Sequence, residues 1–157
     1  MMPIVLIIDI ARPVEEVFSY ITDPLQFPEW QLDVVSARRD DAGSRGVGSR
    51  FVTTRRVGRM QRTTTQEIID VDEPRTWAAR TIGGPVSLLA KVTVEPRGDT
   101  NRSRVTLSFD FAGRGLGKFL APLIRRMAAR EAPKSLQNLK RRLESGEHRT
   151  DRQGSGT

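Results

Sequence analysis

The stretch Leu116 to Glu144, LGKFLAPLIRRMAAREAPKSLQNLKRRLE, decides how the rest of the chain is read. Its apolar residues fall at Leu116, Phe119, Leu120, Leu123, Ile124, Met127 and Ala128, then at Leu136, Leu139 and Leu143. Steps of three and four place them on one stripe of a helix. The opposite face carries Lys118, Arg125, Arg126, Arg130, Lys134, Lys140, Arg141 and Arg142. A long helix with a single apolar stripe needs a broad surface to lie on, and a curved sheet supplies one. Proline in a helix lacks the amide donor and clashes one turn back, so a kink or break is expected near Ala129–Pro133.

Upstream, the chain reads mostly as strands. Ile4–Ile10 is β-branched and forms a first strand. Pro13 opens a helix, with Glu15 and Glu16 complementing the positive end of its dipole. Asp23 caps a second short helix that begins at Pro24, and Pro28 and Trp30 close the turn. Leu32–Arg38 reads as a second strand, 40–48 as a glycine-bearing loop and Ser49–Val57 as a third strand. Gly58-Arg59 makes a tight hairpin into Met60–Val71. Thr76–Ile82, Val86–Glu95 and Ser103–Phe111 complete the set, with turns at 72–75, 83–85 and 96–101. In the last strand Val105, Leu107, Phe109 and Phe111 alternate with Thr106, Ser108 and Asp110, so one face is buried. Short turns between successive strands favour antiparallel pairing. The polar tail 146–157 is expected to be disordered and dispensable.

Composition excludes several kinds of chemistry. There is no cysteine, and the single histidine, His148, stands in the tail, so neither a thiolate site nor a histidine cluster can be built. No metal and no cofactor is expected. The net charge of +7 permits attraction to nucleic acid, anionic lipid or acidic ligands. Eight arginines lie between Arg38 and Arg62, but without interleaved exposed aromatics, so no specific nucleic acid is expected. No export signal is visible and no run approaches the roughly twenty apolar residues that span a bilayer. A cytoplasmic protein, monomer or homodimer, is expected.

Several stretches resemble one known group. Ala11-Arg12-Pro13-Val14-Glu15-Glu16-Val17-Phe18, followed by Ile21-Thr22-Asp23-Pro24, is similar to the strand-to-helix opening of the polyketide cyclase/dehydrase and lipid-transport family, within the START and birch-pollen-allergen-like (SRPBCC) superfamily. Phe27-Pro28-Glu29-Trp30 resembles its proline–tryptophan turn, and Gly46-Val47-Gly48-Ser49-Arg50-Phe51 its glycine turn into the third strand. Asp72-Glu73-Pro74-Arg75-Thr76-Trp77 is similar to a later hairpin, and Leu136 to Glu144 to the terminal helix ending. The resemblance covers roughly residues 3 to 145. It implies an α+β helix-grip fold: a curved antiparallel sheet of about seven strands, in the order β-α-α-β6-α, wrapped around a long C-terminal helix. It makes residues 1–145 one domain. It also implies a cavity between sheet and helix that holds a small hydrophobic or amphipathic molecule, lipid or polyketide-like.

Such a cavity would be lined by Trp30 near its mouth, by Phe51, Thr53, Arg55, Trp77, Ala79, Ala90, Leu107 and Phe109 from the strands, and by Phe119, Leu123 and Met127 from the helix. Taken singly, each of these reads first as ordinary core. Leu123→Ala is expected to cost about 2–5 kcal/mol through the hole it leaves. Arg55, if it faces inward with Phe51 and Thr53, would hold a ligand carboxylate or phosphate in a bidentate pair; a one-residue bulge would turn it to solvent. A binding protein without chemistry of its own is the first expectation. A polyketide cyclase or aromatase working in the same cavity is the alternative, with Tyr20, Arg55 and Glu67 as catalytic candidates. An interaction module using the basic surface is the third.

Overall fold

The computed structural model describes residues 2–40 and 46–148. Its elements are β1 (Ile4–Ile10), α1 (Val14–Ile21), a 3-10 turn (Pro24–Gln26), α2 (Phe27–Trp30), β2 (Val34–Arg39), β3 (Arg50–Val57), β4 (Met60–Asp72), β5 (Thr76–Ile82), β6 (Val86–Arg97), β7 (Asp99–Gly113) and α3 (Gly117–Ser145). The seven strands form one antiparallel sheet in the order β1-β7-β6-β5-β4-β3-β2. From β2 onward each strand pairs with the next, and from β3 onward the connections are short turns. β1 crosses over to pair with β7, so β1 and β2 are the two edges. The sheet curls around α3, which is the helix-grip α+β arrangement.

Most elements follow from local sequence. Pro13 stands at the N-cap of α1 rather than inside it. Asp23 caps the 3-10 turn by accepting the Leu25 amide at 3.1 Å, with Pro24 at the first position. Gly58 takes a φ of +65°, and Val57 pairs with Met60 across the two-residue turn. The β6–β7 turn is tighter than 96–101. The strands run on to Arg97 and Asp99, and Gly98 at φ +79° makes the reversal. Irregularities between Val34 and Ser36, and between Ile68 and Asp70, bend their strands and support the curl.

Two expectations fail here. α3 runs 29 residues without a break, through both Pro122 and Pro133. Both prolines occupy exposed positions, where water can satisfy a carbonyl that has lost its amide partner. The tail is not loose from residue 146 onward. The helix ends at Gly146 with φ +82°, and the chain folds back so that His148 is 1% exposed. Its Nε2 lies 2.7 Å from Glu16 and its ring meets Tyr20 edge-on. The rest of the expected tail, and residues 41–45 of the expected loop, lie outside the described residues.

The two halves of α3 are held differently. Leu136, Leu139 and Leu143 sit in the larger core cluster with Val17, Phe18, Ile21 and the strand residues Val94 and Val105. Polar contacts fix the same half. Arg12 donates to the carbonyls of Leu143 (2.9 Å) and Glu144 (2.7 Å), capping the negative end of the helix with a cation. Asn138 donates to the carbonyls of Glu29 and Trp30, and the Leu32 amide donates to Ser135 Oγ at 3.0 Å. The first half buries little beyond Gly117 and Ala121, packed with Ile4, Val86 and Phe111 in a smaller cluster. Leu116 (84%), Phe119 (83%) and Leu123 (51%) are exposed. The expectation that Leu123 plugs the helix–sheet seam is therefore wrong. Period alone makes the stripe continuous, but the buried face of the first half is the glycine–alanine face.

That face exists because backbone meets backbone. A Cβ on Gly117 would stand 1.9 Å from the Pro85 carbonyl oxygen, and one on Gly113 would stand 2.1 Å from the Gly117 carbonyl oxygen. Neither neighbour is a side chain that can swing away. Gly117→Ala is expected to lower stability by about 2 kcal/mol, strain outweighing the better helix propensity of alanine. Gly46→Ala, with nothing within 4 Å, should change it little. Thermal melts of the two variants check the contrast.

Candidate ligand cavity

Alternation puts one set of strand side chains beneath α3. On β7 these are Leu107, Phe109 and Phe111; on β6 Leu88, Ala90 and Val92; on β5 Trp77, Ala79 and Thr81. Arg62, Thr64 and Gln66 come from β4, and Phe51, Arg55 and Val57 from β3. Small residues meet at one point, where Ala90 pairs with Ala79 on one side and with Phe109 on the other. Space remains between the sheet and the thinly packed half of α3. It forms an outer chamber of about 120 Å³, roofed by Ile124, Met127, Ala128 and Glu131. An inner chamber of about 50 Å³ is walled by Phe27, Phe51 and Trp77. Trp30, Arg55, Gln66, Leu88, Leu107 and Phe109 belong to both. Phe27 is the aromatic hub, meeting Trp30, Phe51 and Trp77 edge-on at 5.8–6.4 Å between ring centres.

The polar fixtures are few. Arg55 Nη1 donates to both carboxylate oxygens of Asp33 at 3.2 Å. Directly across the ladder stands Arg62, a like charge on the same face. Arg62 donates only to the Val86 carbonyl, at 2.9 Å, and forms no ion pair among the described residues. Burial pulls its guanidinium below the ordinary arginine range. Thr53 lies behind the wall, wholly buried, and donates to Gln66 Oε1 at 3.1 Å, so it positions the amide rather than lining the space. The Trp30 indole N–H is buried and finds no acceptor among the described residues. A buried donor left unmatched costs about 1–3 kcal/mol.

The structure brings together most of the residues chosen from sequence. Trp30, Arg55, Leu107 and Phe109 line both chambers; Phe51, Trp77, Ala79 and Ala90 line the inner one; Met127 roofs the outer one. Trp30 is buried rather than standing at a mouth. Phe119 and Leu123 do not reach the cavity, because they lie on the exposed face of α3. Glu67 is also outside, paired with Arg50 at 3.6 Å. Tyr20 belongs to the helix anchor: its hydroxyl donates to Glu29 at 2.9 Å and accepts from Arg142 Nε at 3.1 Å. Sequence reasoning missed Arg62, Gln66, Ile124 and Ala128. The first two share the even-numbered alternation of β4 with Thr64 and Ile68, a legible signal.

A larger cavity of about 400 Å³ lies at the other end, between α1 and β3–β5. Its arginines are already matched, Arg39 with Asp23 at 3.0 Å and Arg50 with Glu67 at 3.6 Å. Charge already neutralised gives a ligand little to bind, so the sheet–helix cavity is the better candidate.

Tyr20 yields a test of the anchor. Burial pushes its phenol above the usual tyrosine range; the Glu29 hydrogen bond adds to this and the Arg142 hydrogen bond opposes it. The fold favours the neutral form. Its contribution is fully present below about pH 10, where the unfolded phenol titrates, and is lost as pH rises beyond that. Tyr20→Phe should lose about 1 kcal/mol at neutral pH yet show a shallower fall in melting temperature above about pH 10.

Comparison with known proteins agrees with this geometry. Residues 4–144 match the family model described as polyketide cyclase / dehydrase and lipid transport. Among curated proteins no sequence match is found. Among solved structures, the chain is similar to the ZhuI aromatase/cyclase from Streptomyces sp. R1128, with a TM-score of 0.77 and 16% identity over 90% of this chain and 93% of that one. It is also similar to the di-domain aromatase/cyclase BexL from the BE-7585A biosynthetic pathway (TM-score 0.71, 18% identity, 92% of this chain, 47% of that one). A START superfamily protein from Mycobacterium smegmatis has a TM-score of 0.73 at 11% identity, covering 91% of this chain and 99% of that one.

Proposed function

From the premise that this chain belongs to the polyketide cyclase/dehydrase and lipid transport family, we propose that it binds a small amphipathic molecule between its sheet and α3. The observation that carries this reading is Arg62. A half-buried guanidinium opposite a second arginine, with a single carbonyl as partner, is an unfavourable arrangement in an apolar chamber. An acidic or phenolic oxygen on the ligand would relieve it. The inner aromatic chamber would take the apolar body, and the Trp30 N–H is a donor available to a ligand acceptor. The combined space holds only a small molecule with the helix as it stands. A longer lipid or polyketide-like chain needs the first half of α3 to lift, which its sparse packing allows.

A second reading has one observation in its favour. Two carboxylates, Asp33 and Glu131, also line the outer chamber. Asp33 is engaged by Arg55, whereas Glu131 pairs among the described residues with Lys134 alone, at 3.7 Å on the helix surface. A cyclase acting on a polyketide-like chain would use Glu131 to move a proton while Arg62 steadies an enolate oxygen. Glu131→Gln would then stop turnover and leave binding intact.

The only two tryptophans, Trp30 and Trp77, both line the inner chamber, so intrinsic fluorescence reports its occupancy. Decanoate, decanol and decylamine offer one tail with three heads. Decanoate is expected to bind roughly tenfold or more tighter than decanol, and Arg62→Met to erase that preference. Ala128→Phe should fill the outer chamber and weaken all three while leaving the two reporters unchanged. Equal affinity for acid and alcohol would rule out the arginine's role. No spectral response to any of them would rule out the cavity.

A further inference from the structure

The outer chamber lies toward one end of the molecule, and that end carries the exposed apolar side chains of α3. The register brings the β3–β4 turn (Val57 with Met60), the start of β6 (Val86 with Gly113) and the start of α3 to the same end. There Met60 is 74% exposed, joining Leu116, Phe119 and Leu123. Leu116, at the N-cap of α3, and Phe119 and Leu123 within it follow helical steps and form one outward stripe. Arg126 and Arg130 continue that stripe one and two turns further along. Residues 111–130 contain five basic side chains and no acidic one. Of these, Arg114, Lys118, Arg126 and Arg130 form no ion pair among the described residues.

We propose that this end docks on an anionic lipid bilayer, the tip of α3 and Met60 entering the acyl boundary while the arginines and Lys118 meet lipid phosphates. Exposed leucine and phenylalanine at the tip, with cations set back along the same face, match the layering of a membrane surface. Leu116 to Leu123 spans about 10 Å along the helix, the depth of an interfacial insertion. The other occupants fit less well. A second copy would bring two acid-free basic faces together. A nucleic acid would meet the cations but has no use for an apolar tip. Docking here would set the cavity's first helix half against the lipid. The surface is nevertheless independent of what fills the cavity, and its test needs no ligand.

The test is flotation of the intact protein with vesicles of phosphatidylcholine alone and of phosphatidylcholine mixed with phosphatidylglycerol. Binding is expected only to the mixed vesicles and should weaken as salt is raised. Phe119→Asp should lower partitioning by roughly ten- to a hundredfold, and Arg126→Glu by roughly fivefold or more. Both positions are exposed, so the melting temperature should hold, and the decanoate titration should be unchanged. No flotation with mixed vesicles, or flotation that Phe119→Asp leaves intact, overturns the proposal. So does a dimer in sedimentation that Phe119→Asp dissolves without any vesicle binding. A failed flotation beside an intact decanoate response rejects the docking surface alone.

Discussion

Everything in this molecule hangs on the meeting of two backbones, where Gly117 lies on the Pro85 carbonyl and Gly113 on Gly117. Side chains cannot come between them. The contact fixes where α3 leaves the sheet, and with it the angle at which a 29-residue helix crosses the curled strands. At the far end, three leucines and the Arg12 cap hold the helix just as firmly, by burial and by charge. A rod fixed at both ends over a concave surface must leave a gap where neither fixture reaches. The cavity is that gap. It is widest where the inward residues of α3 are small, at Ala128 and Ala132, between Met127 and Ser135.

The core is divided for the same reason. The larger cluster gathers α1, α2 and the end of α3 over the middle and far ends of the strands. The smaller one, around Ile4, Val86, Phe111 and Ala121, closes the opposite end. Stability resides mainly in the first, so the region roofing the outer chamber can move without the whole fold yielding. The chemistry follows the same division. Hydrogen bonds and ion pairs around Tyr20, Glu29, Arg142 and His148 belong to the anchored end and are mutually satisfied. Arg62 and the Trp30 N–H, which lack such completion, belong to the cavity.

The sequence made much of this legible. Strand alternation located Leu107, Phe109, Ala79 and Ala90, because a half-buried strand repeats every two residues and a wrong register exposes the whole set. It also turned Arg55 inward. It failed on α3, where period alone treats every apolar residue on the stripe as buried. Phe119 and Leu123 sit about half a turn from the true contact face, which is made by Gly117 and Ala121, residues with too little side chain to register as a pattern. Local sterics put a kink or a break at Pro133; the helix is not broken there, because an exposed proline in a helix held at both ends is tolerated. His148 was placed in a polar tail because its neighbours are polar; its partner Glu16 is 132 residues away, beyond any local rule.

The Arg12 cap has one more consequence, and it concerns time. Arg12 follows the first strand, but the carbonyls it caps belong to Leu143 and Glu144. The first strand likewise finds its partner, β7, about a hundred residues later. While the chain is being synthesised, its opening segment has nothing native to hold. Its Val5, Leu6 and Ile7 wait as an unpaired apolar strand until β7 has emerged, and Arg12 waits longer, for the end of the final helix. The fold therefore closes late. A chain that stops short of its last helix loses the cap on which the first strand and the last turn jointly depend.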